Sequence, residues 1–255
     1  MREDAKTCSV CVLGATGCIG VEVVAHLLQA GQAVVAVVRD ETKLSRALAT
    51  RSMQPTEGVL TVLVADLFNE PAMANPQLAE VLGECAWVFN CASPALSWNP
   101  FSRANRSWGA PVSSLTRHLL GVASDDGPHI VAVCGPEHFE HHDGSVSIFR
   151  KALSWTASAL FPALRDNRTE VQLLLQSNHE RWTVLRCGSI RPGRGESGDA
   201  NRIDFDLHRD GSNYRAGKGA ALMAADLGAF VAALICNGEL SKFKQKMPFV
   251  FNTHF

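Results

Sequence analysis

Gly14-Ala15-Thr16-Gly17-Cys18-Ile19-Gly20 has the residue types and the spacing to hold an anion. The loop follows the apolar run Val10-Cys11-Val12-Leu13 and opens an amphipathic stretch from Val21 to Ala30. A strand, a tight glycine turn and a helix N-terminus bring backbone N–H groups close to a phosphate. The helix end adds about half a positive charge. A second apolar strand ends about twenty residues later in Val37-Val38-Arg39-Asp40, the distance expected in a dinucleotide-binding β-α-β unit. Glycines at that spacing, with a strand before them and a helix after, predict a bound dinucleotide.

The end of the second strand selects the dinucleotide. An acidic residue there accepts hydrogen bonds from the ribose 2′-OH of NAD, whereas an arginine accommodates the 2′-phosphate of NADP. Arg39 is the first residue after Ala33–Val38, and Lys43 and Arg46 follow within two turns. A guanidinium is a planar multiple donor suited to phosphate, and an ammonium adds a point charge. The plain alternative is a solvated helix start with ordinary surface charges. Asp40 keeps NAD(H) open, but NADP(H) is the expected cofactor.

The elements that must position these residues follow from the pattern of the rest of the chain. Strand and helix patterns alternate throughout, the mark of a parallel sheet covered on both faces. Strands are predicted near 8–13, 33–38, 59–64, 86–91, 129–134 and 182–187. Helices are predicted near 18–30, 41–49, 76–83, 102–123, 145–178 and 224–236, the fifth broken at Phe161-Pro162 because proline cannot continue a helix interior. A doubly wound, Rossmann-type α/β sheet in the order 3-2-1-4-5-6 is the expected fold. A short apolar segment, Pro248-Phe249-Val250-Phe251, follows the last helix. The span 188–220 departs from the rhythm, being rich in Gly, Arg, Asp and Asn, and it leaves the carboxyl edge of the sixth strand. It is expected to be a substrate-side flap on a single domain covering 1–255.

Composition excludes several classes of function. Lys and Arg number 24 against 25 Asp and Glu, so no bulk field draws the chain to nucleic acid or an anionic membrane. No apolar run approaches the roughly 20 residues of a membrane span. The charged opening Met1–Lys6 lacks the apolar core of a signal peptide. A soluble cytoplasmic protein with no nucleic-acid and no membrane partner is expected. Of the eight cysteines, Cys8, Cys11, Cys91, Cys134 and Cys187 lie in or at the edges of strand-like runs and read as small buried hydrophobes. Cys8-Ser-Val-Cys11 has C-x-x-C spacing, but along a strand its sulfurs face opposite ways. Cys18 stands apart, in the phosphate loop itself.

Together these residues resemble the short-chain dehydrogenase/reductase superfamily, specifically its atypical NAD(P)H-binding branch. Within it the nearest likeness is to the flavin reductase (biliverdin IX-beta reductase) family, with NmrA-like regulators more distant. The anchors are Leu13–Gly17, Val38-Arg39-Asp40 with Lys43-Leu44, Ala65-Asp66-Leu67, Trp182–Arg186 and Ala225–Phe230. The resemblance implies that Gly14, Thr16, Gly17, Cys18, Ile19 and Gly20 line the pyrophosphate and that Arg39 and Lys43 meet the 2′-phosphate. It implies that Asp66 and Leu67 contact adenine, and that the turn Asn90-Cys91-Ala92-Ser93 runs beside the nicotinamide ribose. Cys134, Gly135 and Pro136 would flank the nicotinamide, with Ser189 and Ile190 approaching from the loop after the sixth strand.

The catalytic signature departs from the superfamily pattern. Members with carbonyl chemistry use a Tyr-x-x-x-Lys pair on the helix after the fifth strand, the phenol donating a proton. Here 145–178 contains no tyrosine, and the chain's only one, Tyr214, stands four residues before Lys218 in a non-helical stretch. Cys134-Gly135-Pro136 occupies the place of the serine expected after the fifth strand. His138-Phe-Glu140-His141-His142-Asp143 reads first as a solvated loop. As an active-site element it offers His138 as a general acid, and no metal site is assigned to it. The expected activity is NADPH-dependent reduction of a flavin-, quinone- or tetrapyrrole-like small-molecule acceptor, since such hydride delivery needs mainly proximity and orientation. The alternative is a catalytically silent NADP(H) sensor that binds a protein partner. Sugar-nucleotide epimerase or dehydratase chemistry is the least favoured, because it needs the missing tyrosine.

Overall fold

Short apolar runs buried on both faces become the central strands, because a parallel sheet covered by helices leaves no wet face. In the computed structural model the described residues are 9–51, 58–68, 75–93, 109–123, 127–135, 148–192, 198–206 and 221–252. The chain runs β1 (Ser9–Leu13), α1 (Cys18–Gln29), β2 (Ala33–Val38), α2 (Glu41–Ala49), β3 (Leu60–Val64), α3 (Pro76–Glu84), β4 (Trp87–Asn90) and α4 (Pro111–Val122). It continues through β5 (His129–Cys134), α5 (Ile148–Leu160), α6 (Pro162–Gln176), β6 (Trp182–Cys187), β7 (Ile190–Arg191), β8 (Ile203–Asp206), β9 (Leu222–Met223), α7 (Ala224–Cys236) and β10 (Phe249–Asn252).

The main sheet has eight strands in the order β3-β2-β1-β4-β5-β6-β10-β8. Six of these carry the predicted 3-2-1-4-5-6 order, and β1 pairs in parallel with β2 on one side and β4 on the other. The order reverses at β1, which leaves a crevice at the carboxyl ends of β1 and β4, where open α/β sheets take ligands. One core cluster packs α1 and α7 against the sheet, and the other packs α3, α4 and α6 on the opposite face. No helix among the described residues is long and apolar enough to cross a membrane.

Three local features differ from the sequence expectation. Part of the span 188–220 is sheet rather than flap, because β8 lies antiparallel to β10, with Phe205 opposite Val250. A further part, β7, pairs in parallel with β9 as a separate two-stranded ribbon. Ile203-Asp204-Phe205-Asp206 alternates apolar and charged residues as an edge strand does, with Ile203 buried and Asp204 and Phe205 exposed. Within the helix expected over 102–123, the described part begins at Pro111, since Ala110 before it is left-handed (φ 54) and proline suits a first turn; residues 102–108 lie outside the described residues. Cys91, expected to be buried, is only half-buried and faces a cleft. Cys11 is fully buried, and its hydrogen bond with the Cys85 thiol, aided by burial, pushes its own thiol up. Cys8 lies outside the described residues.

Candidate functional site

The loop between β1 and α1 turns at Gly14, whose φ of 77° is costly for any residue with a side chain. A Cβ there would lie 2.6 Å from the Ala92 Cα, so the loop and the turn after β4 touch backbone to backbone. The Gly17 N–H donates to the Gly14 carbonyl at 2.9 Å and closes the turn. Gly17 is then the N-cap of α1 with no side-chain cap bond, and the first turn of α1 carries no acidic residue. The leading N–H groups of α1 therefore have neither an internal side-chain acceptor nor a counter-charge, a fit for an anionic group. Gly20 has a different part: a Cβ on it would lie 2.4 Å from the Gly14 carbonyl oxygen, so it lets the helix pack beneath the loop.

The other half of the crevice is the turn after β4. The Cys91 N–H donates to the Leu13 carbonyl at 3.2 Å and the Cys91 Sγ approaches the same oxygen at 3.0 Å, which ties the ends of β1 and β4 together. Desolvation of its sulfur at the ends of β1 and β4 pushes the Cys91 thiol up, so it stays protonated. Asn90 holds the turn from below, its Oδ1 accepting from the Ala92 N–H at 3.3 Å.

Between these two loops and the ends of β2 and β3 lies a cleft of about 240 Å³. Gly14, Thr16 and Gly17 line it from the β1–α1 loop, Cys91, Ala92 and Ser93 from the turn after β4, and Arg39, Lys43, Asp66 and Leu67 from the segments that follow β2 and β3. Among the described residues Val37, Val38, Ala65 and Phe68 line it too, and they were not assigned from the sequence as site residues. Their signal was there, since the residues flanking a strand's carboxyl end line the crevice along with the polar ones. Arg39 and Lys43 are both exposed. Asp40 is engaged elsewhere, as the N-cap of α2, with its carboxylate accepting from the Lys43 N–H at 3.2 Å. Asp66 folds back likewise, with Oδ1 accepting from the Phe68 N–H at 3.2 Å.

Of the other residues assigned from the sequence, Cys18 and Ile19 sit on the first turn of α1, exposed and half-buried, outside the cleft lining. Cys134 is buried at the end of β5 with Gly135 half-buried after it, and Ser189 and Ile190 lie beyond β6, also outside the lining. His138 with the rest of its cluster, Tyr214 and Lys218 fall outside the described residues. No group of three or more His, Cys, Asp or Glu able to hold a metal occurs among the described residues.

A buried polar cluster that sequence reasoning missed lies under the β4 turn. Glu170 of α6 is only 2% exposed, and its Oε1 accepts from Asn90 Nδ2 at 2.9 Å and faces Thr116 Oγ1 at 3.1 Å. Burial pushes the Glu170 carboxyl up to about 8, opposed by the bonds from Thr116 and Asn90 and reinforced by the Asp166 charge. Asp166, one turn earlier, caps α4 from outside by accepting from the N–H groups of Val112 and Ser113, both at 2.9 Å. Two acids four residues apart on the same buried helix face are the signal that could have found this cluster.

A sequence model of the family described as NAD(P)H-binding matches residues 14–237. Over 86 residues, 34% of this chain, the sequence is 37% identical to a bifunctional dihydroflavonol 4-reductase/flavanone 4-reductase of Pyrus communis, and the match spans 23% of that protein's length. The fold is similar to that of ChuY, an anaerobilin reductase of Escherichia coli O157:H7, with a TM-score of 0.60 at 16% identity over 97% of this chain and 98% of the other. It is also similar to that of a short-chain dehydrogenase/reductase of Veillonella parvula in complex with NADP, with a TM-score of 0.58 at 15% identity, covering 96% and 94% of the two chains. At such identities the likeness is one of fold.

Proposed function

Because this chain belongs to the NAD(P)H-binding family, we propose that it is an NADPH-dependent oxidoreductase of the atypical short-chain dehydrogenase/reductase type acting on a flavin-, quinone- or tetrapyrrole-like acceptor. The observation that carries the choice of NADPH is the division of labour after β2. Arg39 and Lys43 flank the cleft, while the one carboxylate that could read a ribose 2′-OH, that of Asp40, is engaged as a helix cap. The guanidinium and ammonium would hold the 2′-phosphate, the N–H groups of the Gly14–Gly17 turn and of α1 the pyrophosphate, and the 91–93 turn the sugar beyond it. NADPH, when bound, would supply the hydride. The chain's contribution is to hold and orient it, which suits an acceptor that needs no positioned acid. Neither α5 nor α6 contains a tyrosine, and the fold neighbour ChuY, an anaerobilin reductase, supports an acceptor of this class.

The missing tyrosine also favours a second reading, a silent NADP(H) sensor that signals to a protein partner. A screen of NADPH oxidation against flavins, quinones, tetrapyrroles and simple carbonyls separates the two. Turnover above the enzyme-free rate supports the reductase, and silence with tight NADPH binding supports the sensor. Arg39→Ala tests the cofactor choice. It should weaken NADPH binding by roughly 1.5–3 kcal/mol, the worth of a hydrogen bond to a charged group, and leave NADH nearly unchanged. Equal losses for both cofactors would refute the role given to Arg39.

A further inference from the structure

We infer that Glu170 is a positioning residue for the cofactor cleft: through Asn90 it fixes the Cys91-Ala92-Ser93 turn that forms one wall. The inference rests on reading that cleft as the NADPH site. The Ala92 N–H can only donate, so the Asn90 atom that faces it at 3.3 Å must be the amide oxygen. The Asn90 NH2 group then points the other way, into the protein, where Asn90 is 3% exposed and water cannot satisfy it. Glu170 Oε1 meets it at 2.9 Å from a helix 80 residues further along the chain. A residue at 170 without an acceptor would leave that NH2 unpaired and remove the preference for the orientation that grips Ala92.

The carboxyl can hold Asn90 in either protonation state. Thr116 Oγ1 stands 3.1 Å from Glu170 Oε1 and 3.2 Å from the Val112 carbonyl oxygen, and its single proton serves one of them. When Glu170 is ionised, Thr116 and Asn90 both donate to Oε1. When Glu170 carries its proton on Oε1, it donates to Thr116, Thr116 donates to Val112, and Oε1 still accepts from Asn90. The Ala92 N–H stays held in both arrangements. The grip matters because Ala92 is the residue against which Gly14 packs: a shift of the turn moves the phosphate loop with it.

The test measures the NADPH dissociation constant by calorimetry and the hydrogen exchange of the Ala92 amide in the cofactor-free chain, with a thermal melt of each variant. Glu170→Gln keeps an acceptor at Oε1 and should bind within about twofold of wild type, with Ala92 exchange unchanged. Glu170→Leu and Asn90→Ala should each weaken binding roughly tenfold, the order of one lost hydrogen bond, and speed Ala92 exchange by a similar factor. The double variant should be no worse than Asn90→Ala alone, because both changes break one chain of contacts. Losses that multiply, or a folded Glu170→Leu that binds NADPH and protects Ala92 as wild type does, would overturn the inference. Should Glu170→Leu not fold, Asn90→Ala decides it: unchanged affinity and exchange there overturn it equally. A wild-type chain that does not bind NADPH overturns the cofactor reading instead, while Ala92 exchange still reports on the Asn90 link.

Discussion

Glu170→Gln should change how stability depends on pH, by an amount and with a sign fixed by the fold. In the unfolded chain the Glu170 carboxyl loses its proton near 4.5, and in the fold burial keeps it until about 8. Between these values the unfolded state has released a proton that the native state retains, so stability falls as pH rises. The contribution is fully present below about pH 4.5 and lost by about pH 8. At 1.36 kcal/mol per pH unit the whole window amounts to about 5 kcal/mol. Glutamine has nearly the same shape and cannot ionise, so the variant lacks this slope. Urea unfolding of both proteins from pH 5 to pH 9 gives the difference between them, in which the titration of groups not coupled to Glu170 cancels. The difference should move in favour of the variant by ~1.4 kcal/mol per pH unit up to about pH 8 and then level off. Parallel curves would refute the reasoning, because they would mean that Glu170 titrates alike in the folded and unfolded chain.

Gly14→Ala should cost about 2–5 kcal/mol in urea unfolding, combining left-handed backbone strain with overpacking against Ala92, and should abolish NADPH binding. Normal binding by that variant would mean that the two loops do not meet as described. His129, buried on Trp87, donates from Nε2 to Thr183 Oγ1, whose own proton goes to the Phe243 carbonyl. Burial, with Arg181 adding to it, lowers His129 from its usual 6.5 to about 3, so the unfolded chain gains a proton first on acidification. Stability tied to His129 is present above about pH 6.5 and is lost as pH falls toward 3, so His129→Gln should flatten the drop in urea midpoint between pH 7 and pH 4. An unchanged drop would count against it. Tyr214→Phe should alter turnover less than tenfold and less than His138→Ala does. A loss of ~2–4 orders of magnitude with NADPH binding intact would make Tyr214 the proton donor instead.

The sequence by itself determined whatever depends on neighbours along the chain. The Gly14–Gly20 spacing, the apolar run before it and the amphipathic run after it are one local unit, so the loop, β1 and α1 were legible together. Arg39 and Lys43 were legible as cleft-lining residues for the same reason, since both follow directly on the carboxyl end of β2. The break at Pro162 and the order of the six parallel strands followed from proline chemistry and from the handed, short connections that α/β chains obey. Tertiary structure alone decided the contacts between residues far apart. Ile203–Asp206 sits in a polar, glycine-rich stretch that reads as loop, and it becomes a strand because β10 offers it an open edge. Asp40 could have served a ribose or a helix end, and the start of α2 takes it. Glu170, Asn90 and Asp166 look like ordinary polar residues in the chain. They become a buried hydrogen-bonded cluster only when α6 lies across β4 and α4, because desolvation and the need to pair every buried donor act only once those elements meet.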